Sequence, residues 1–320
     1  MHAELVVPGL LGGEAPRVAA LELLLARGRR KDADAQTLED WAREAFELGD
    51  DPFPAGALSV LASGASPGAE AWTRADPVHL RLMRDRAVIM PAEAFELSMD
   101  EARALCEALN AHFAGMEFTA VQARRWYARL PQAAVIDAGH PLLSAGRSAE
   151  PPAHAAALLT EAQMVLHAHP VNEAREARGA PPVNSLWLWG GGRAARARSR
   201  WQSVAADDPA VLGAARLAGA RHRPLPPSAG EWLDRLPEDG RHLAVLDALR
   251  APLAFGADLA EEIAKLERDW FAPLLAALRA GRLGMVTIHV PDAAQAVSFE
   301  TIRGDLRRFW RRRKPIKELA

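Results

Sequence analysis

Few side chains in this sequence have both the type and the spacing for chemistry. Asp247 and His289 are two of them: each lies near the end of an apolar run, HLAVLDA over 242–248 and LGMVTIHV over 283–290. A carboxylate and an imidazole brought together at the ends of neighbouring strands form an acid–base pair. One Asp and one His fall short of a metal site, so no metal is expected there. His167 and His169 stand two apart, point in different directions on a helix and do not match the HExxH spacing. Ser59 and Ser63 lie in no nucleophile-elbow motif and read as solvated or capping hydroxyls. Cys106, the sole cysteine, excludes an intramolecular disulfide and a thiolate cluster, and its place inside a capped amphipathic helix reads as a buried thiol.

The stretch that divides the chain is PPVNSLWLWGGGR, residues 181–193. Its two prolines disfavour a helix, and 185–190 reads as a strand with Trp187 and Trp189 on one face and Leu186 and Leu188 on the other. Two covered faces imply a central strand. The three glycines that follow lack the spacing of a dinucleotide fingerprint or a P-loop. They suit a tight turn at a sheet end; Asn184, Trp187, Trp189 and Arg193 are candidates for a ligand pocket there, and a partner surface is the third reading.

The elements that must position these residues are legible in patches. Residues 3–8 read as a strand, 16–26 as a helix, and 37–48 as a helix that Thr37 caps with Asp40 in its first turn. Ser98 and Glu101 form the clearest helix start. A helix is expected over 153–169, a second opened by Pro170 and stopped by Gly179, and a strand from QAAVIDAGHPLL. Strand 242–248, a long helix over 258–279 ended by Gly281, and strand 283–290 follow the βαβ order of a parallel sheet covered by helices. Length and a 49% hydrophobic composition allow a large core in one or two domains. A net charge of −2 gives no global attraction to nucleic acid or membrane. No stretch reaches the roughly 20 apolar residues of a membrane span, and the start resembles a first strand more than a signal peptide, so a cytoplasmic location is expected. The segment 303–317 gathers eight Lys or Arg around Phe309 and Trp310. It reads as a solvated helix anchored by two aromatics, or as a contact for a protein partner, phosphate backbone or acidic lipid.

Three phrases, ADPVHLRLMRDRAVI, LSMDEARALCEALN and VLHAHPVNEAREARGAPPVNSLWLWGGG, together resemble cofactor-independent phosphoglycerate mutases of the archaeal type, in the alkaline phosphatase superfamily. The resemblance implies an α/β fold, a mostly parallel sheet with helices on both faces interrupted by a small α+β insertion. The core would be 1–75 with 181–320, and the insertion 76–180. It also implies two divalent ions and a serine nucleophile. Carried onto this chain, the family's first-strand Asp-Gly falls on Pro8-Gly9, the nucleophile on Phe53, and the late Asp-His pair near His289-Val290. A benzyl group has no attacking oxygen, and two close cations need several oxygen or imidazole ligands. The expectation is therefore a catalytically degenerate protein without a cofactor, with a binding or regulatory role towards a protein or small anionic ligand. The alternative is a surviving metal-dependent mutase or phosphohydrolase.

Overall fold

The computed structural model describes residues 1–13, 16–84, 87–129, 138–147 and 155–318, and the chain divides into two units, Met1–Gly49 with Arg196–Ala320, and Asp50–Ala195. The first unit begins with β1 (His2–Val6), α1 (Ala19–Arg27), β2 (Arg29–Ala33) and α2 (Leu38–Ala45). The second supplies α3 (Ala55–Ala62), β3 (Trp72–Leu82), β4 (Ala87–Pro91), α4 (Met99–His112), β5 (Glu117–Gln122), β6 (Arg125–Arg129), α5 (Ala156–His167), α6 (Pro170–Ala177) and β7 (Ser185–Gly192). The chain then returns through β8 (Ser203–Ala205), α7 (Pro209–Leu217), β9 (Arg221–Arg223), α8 (Ala229–Asp234), β10 (Arg241–Val245) and α9 (Arg250–Ala254). It closes with α10 (Ala260–Leu266), α11 (Ala272–Ala280), β11 (Met285–Val290) and β12 (Ala296–Ile302). The strand expected from QAAVIDAGHPLL lies largely outside the described residues.

The first unit is built on a seven-stranded sheet in the order β2-β12-β11-β1-β10-β8-β9. The five strands from β11 to β9 are parallel, and β12 and β2 add an antiparallel edge. This is the α/β class expected, with helices on both faces. Apolar residues of α1, α8, α10 and α11 cover one face over Ala3, Leu5, Ala244, Val286 and Ile288. The long helix expected over 258–279 is present, but a wider π turn at Glu267–Phe271 joins α10 to α11. Pro273 lacks an N–H and its ring crowds the preceding turn, and the widened turn makes room for it. Where the chain leaves and re-enters this unit, the Arg198 N–H donates to the Phe46 carbonyl at 2.8 Å, and the Phe46 and Trp201 rings lie 5.3 Å apart.

The second unit holds a five-stranded antiparallel sheet, β4-β3-β6-β5 with β7 beside β3. β7, which the sequence reading placed with the core at 181–320, pairs with β3 from Trp72 to Val78. Both faces of β7 are buried as its composition implies, yet its ladder partner is β3 and it takes no part in the parallel sheet. α4 and α5 pack under Leu186 and Leu188. The Ser98–Glu101 and Thr37–Asp40 capping boxes both form.

The glycines that end β7 continue the strand and let α3 lie close against it. A Cβ on Gly190, which sits at φ +57°, would come within 2.5 Å of the Ala55 Cβ, and one on Gly56 within 2.6 Å of the Trp72 backbone. The tight turn expected at a sheet end is thus a close helix–strand approach. The C-terminal run also departs from expectation. Instead of a helix it forms short 3-10 turns at Arg303–Arg307 and Ile316–Glu318 joined by irregular chain, because Gly304 and Pro315 interrupt it and the Asp305 carboxylate ties back to the Ile302 N–H at 3.1 Å. Phe309 and Trp310 do not anchor it; they are 78% and 67% exposed, whereas Ile316 is buried.

Candidate functional site

Alternation along β1 sends Ala3 and Leu5 into the apolar core and Glu4 to the opposite face. A carboxylate in the middle of a covered central strand must find partners, and Glu4 has several. Arg241 Nε donates to Oε1 at 2.8 Å, Arg200 donates to Oε2 at 2.9 Å, and His289 Nε2 lies 3.2 Å from Oε2. His2 stands 3.7 Å away and hydrogen-bonds Thr287. Burial alone would raise the Glu4 pKa, but the bond from His289, the charges of Arg200 and His2 and the bond from Arg241 outweigh it and bring it down to about 2. Glu4 is therefore an anion held by groups that are themselves part-exposed, with side chains of Arg200 and Arg241 each 45% exposed.

Above this network, at the C-terminal end of β11, opens a cavity of about 290 Å³. Trp41 of α2 forms one wall with its ring 5.4 Å from the His289 ring, and Gln36, Glu44, Arg200 and Ser298 bring the polar atoms. The arrangement offers a flat apolar surface, a guanidinium, an imidazole and a hydroxyl in one space, with the Glu44 carboxylate at its rim engaged by the Gln36 amide at 2.6 Å. Such a set can hold a small anion with an apolar or sugar-like body.

The remaining strand ends carry a different cluster. Arg250, just after β10, donates to Glu39 of α2 at 2.8 Å, with side-chain exposures of 11% and 14%. Burial lowers the Arg250 pKa, but Glu39, Asp208 and Asp247 more than offset this and hold the guanidinium above its usual value. Asp208 is further engaged as the cap of α7, its Oδ1 accepting from Ala210 and Val211. Asp247 and His289 therefore serve different partners, Arg250 and Glu4. Their strands are separated by β1, two strand spacings or about 10 Å. A pair of divalent ions does not fit this donor set: Pro8 brings no ligand, the carboxylates surround an arginine, and no group of three or more His, Cys, Asp or Glu among the described residues converges as a metal set.

Most of the other residues singled out in the sequence are engaged elsewhere. Asn184 clamps the backbone of Leu80 through Oδ1 at 2.7 Å and Nδ2 at 3.0 Å. Trp187 donates to the Gly139 carbonyl, Trp189 to Asp76, and Arg193 to the Ala69 carbonyl. Asp76 also pairs with Arg74 at 2.6 Å, which lies over the Tyr127 and Trp189 rings. The polar partners of these four lie at separate places, on Leu80, Gly139, Asp76 and Ala69. Phe53 is buried just before α3, Ser59 is buried within it, and Ser63 bonds the Val60 carbonyl. His169 caps α6, its ring nitrogen accepting from Val171, while His167 is exposed at the end of α5. A Ser203–His242 pair at 2.8 Å sits at the opposite, N-terminal edge of the parallel strands. The Asp239 carbonyl can only accept, so His242 Nε2 carries the proton and Nδ1 accepts from Ser203. Both side chains are buried, and burial lowers the imidazole pKa.

Cys106 is buried and its thiol is pushed up to about 12, chiefly by burial. The native protein is expected to resist an aromatic disulfide reagent for hours at pH 8 and to release one equivalent of thiolate promptly in denaturant; fast native labelling contradicts the buried placement.

Glu4, Trp41, Arg200, Glu39 and Arg250 were not singled out in the sequence. A signal existed for Glu4 alone, a lone carboxylate inside the apolar run AELVVP.

No family model matches the chain, and no curated protein matches it. Among solved structures it is similar to the PH0037 protein from Pyrococcus horikoshii at 13% identity and a TM-score of 0.57, over 94% of this chain and 87% of that one. A cofactor-independent phosphoglycerate mutase from Thermoplasma acidophilum DSM 1728 matches at 18% identity and a TM-score of 0.47, over 95% and 90%. At 13% identity the first likeness is one of fold, and it spans both units.

Proposed function

We propose that this chain is a catalytically degenerate, phosphoglycerate-mutase-like protein with a binding or regulatory role, and that the cavity beside His289 is its ligand site. The observation that carries this reading is Arg250. Its guanidinium takes up the carboxylates Glu39, Asp208 and Asp247 near the ends of the parallel strands, where ligands of open α/β sheets gather. A fixed monocation there pairs with Glu39 and attracts Asp208 and Asp247, and it places a positive charge where a divalent ion would have to sit. The cavity supplies what binding needs instead: Arg200, His289 and Ser298 for an anionic head, and Trp41 for its body.

Purified full-length protein given 3-phosphoglycerate and manganese should form no 2-phosphoglycerate. Calorimetric titration should show saturable binding of the same compound, weakened about tenfold or more by Ser298→Phe, which places a ring in the cavity without touching Glu4. Chelator-sensitive turnover would restore the mutase or phosphohydrolase reading. Absence of binding by both 3-phosphoglycerate and inorganic phosphate would remove the cavity from the proposal.

A further inference from the structure

We propose that the edge of the first unit formed by β2 and the C-terminal segment docks on anionic lipid surfaces, with Phe309 and Trp310 entering the headgroup layer. Two basic runs far apart in sequence, RGRRK at 27–31 and RGDLRRFWRRRK at 303–314, meet here. The Arg311 guanidinium donates to the Gly28 carbonyl at 2.8 Å, and Arg27 donates to the Leu306 carbonyl. β2 is the last strand of its sheet, and all five of its residues are exposed.

Some of these cations are neutralised in place: Arg30 by Asp32, Lys31 by Glu300, and Arg308 by Asp305. Arg29, Arg307, Arg312, Arg313 and Lys314 are exposed and have no acid partner among the described residues. The chain as a whole has a net charge of −2, so this local excess is a property of the surface rather than of the composition.

The apolar residues within the patch select the partner. Ile302, Phe309 and Trp310 are 42%, 78% and 67% exposed, and the last two sit side by side on a turn. Their rings meet edge to face at 5.3 Å and 81°. A perpendicular pair makes a compact apolar knob and presents few flat faces, whereas single-stranded nucleic acid is held on separate rings along a groove. A knob of Phe and Trp ringed by Arg and Lys suits the lipid interface, where the aromatics enter the headgroup boundary and the cations meet anionic heads. No described helix is long and apolar enough to cross a membrane, so the association is peripheral.

The test is co-sedimentation of the full chain with phosphatidylcholine vesicles that contain either no phosphatidylserine or about 30% of it. Binding is expected only to the anionic vesicles and should fall steeply with salt. Phe309→Ser with Trp310→Ser should weaken it about tenfold or more, as should Arg312→Glu with Arg313→Glu. These side chains are exposed, so the fold is expected to tolerate the changes. Brominated lipids should quench Trp310, because the other tryptophans are buried or half-buried. The proposal is overturned by equal binding to neutral vesicles, by unchanged binding of the Phe309/Trp310 variant, or by no quenching. Salt-sensitive binding of a single-stranded oligonucleotide with vesicles ignored overturns it in favour of a nucleic-acid surface.

Discussion

Replacing Arg200 and Arg241 together with methionine is expected to remove about 3 kcal/mol of stability at pH 7, measured by urea unfolding. The side chain of Glu4 is 1% exposed, and its charge is held by those two guanidiniums and His289. Without the arginines a buried anion keeps only the imidazoles of His289 and His2, and too little attraction remains to offset its desolvation. The same network predicts an acid limb. The Glu4 pKa is lowered from 4.5 to about 2, so the folded state binds a proton less readily than the unfolded state. Stability from this group is complete above about 4.5 and is lost as pH falls towards 2, amounting to about 3 kcal/mol from the size of the shift. Glu4→Gln should flatten that limb, its amide keeping one acceptor oxygen in place of two. An acid transition of the same depth in Glu4→Gln would assign the acid sensitivity to other carboxylates, and full stability of the double arginine variant would show that water reaches Glu4.

The second large effect lies in the other unit. Gly56→Val and Gly190→Ala are each expected to cost about 3 kcal/mol or more. At Gly56 the added carbon would meet the Trp72 carbonyl and the Thr73 backbone at 2.6–2.7 Å, and backbone atoms in a paired strand cannot swing aside as a side chain can. At Gly190 two penalties combine, the positive φ and the approach to the Ala55 Cβ. They are separable: adding Ala55→Gly to Gly190→Ala removes the closest contact and leaves the backbone strain with a milder approach to the residue-55 N at 3.2 Å, so about half of the loss should return. Chemical denaturation followed by circular dichroism reads both, and a Gly190→Ala protein as stable as its parent would mean that α3 can move off β7.

The elements that the sequence made legible are those whose signals are local. Ser98 with Glu101, and Thr37 with Asp40, announce helix starts within four residues, and both boxes form. The run from 242 to 290 alternates apolar strand, long helix and apolar strand, and periodicity suffices to order them. β7 was readable as a doubly covered strand, but nothing in LWLWGGG says which sheet it joins, because strand pairing is decided by the shape complementarity of β3 and α3 far upstream. The candidate site was harder still. Glu4 meets Arg200 and Arg241 across 196 and 237 residues, and Glu39 meets Arg250 across 211. Arginines are numerous in this chain, and spacing does not distinguish those that enter the fold from those that remain in water. The C-terminal run shows the opposite failure. Its aromatics suggested an anchor, while Ile316, a lesser presence in the sequence, is the residue that goes inside.

The bond from Arg198 to Phe46, with the Trp201 ring tilted against that of Phe46, fastens the outgoing and incoming chain to each other within the parallel-sheet unit. A graft carried on two stems tied together at the base asks little of its host: the tract between them can lengthen, shrink or be exchanged in one genetic event while the strand order of the host is left untouched. That joint belongs to the host sheet alone, so a variant with the tract between residues 50 and 195 exchanged is expected to keep the host's strand order.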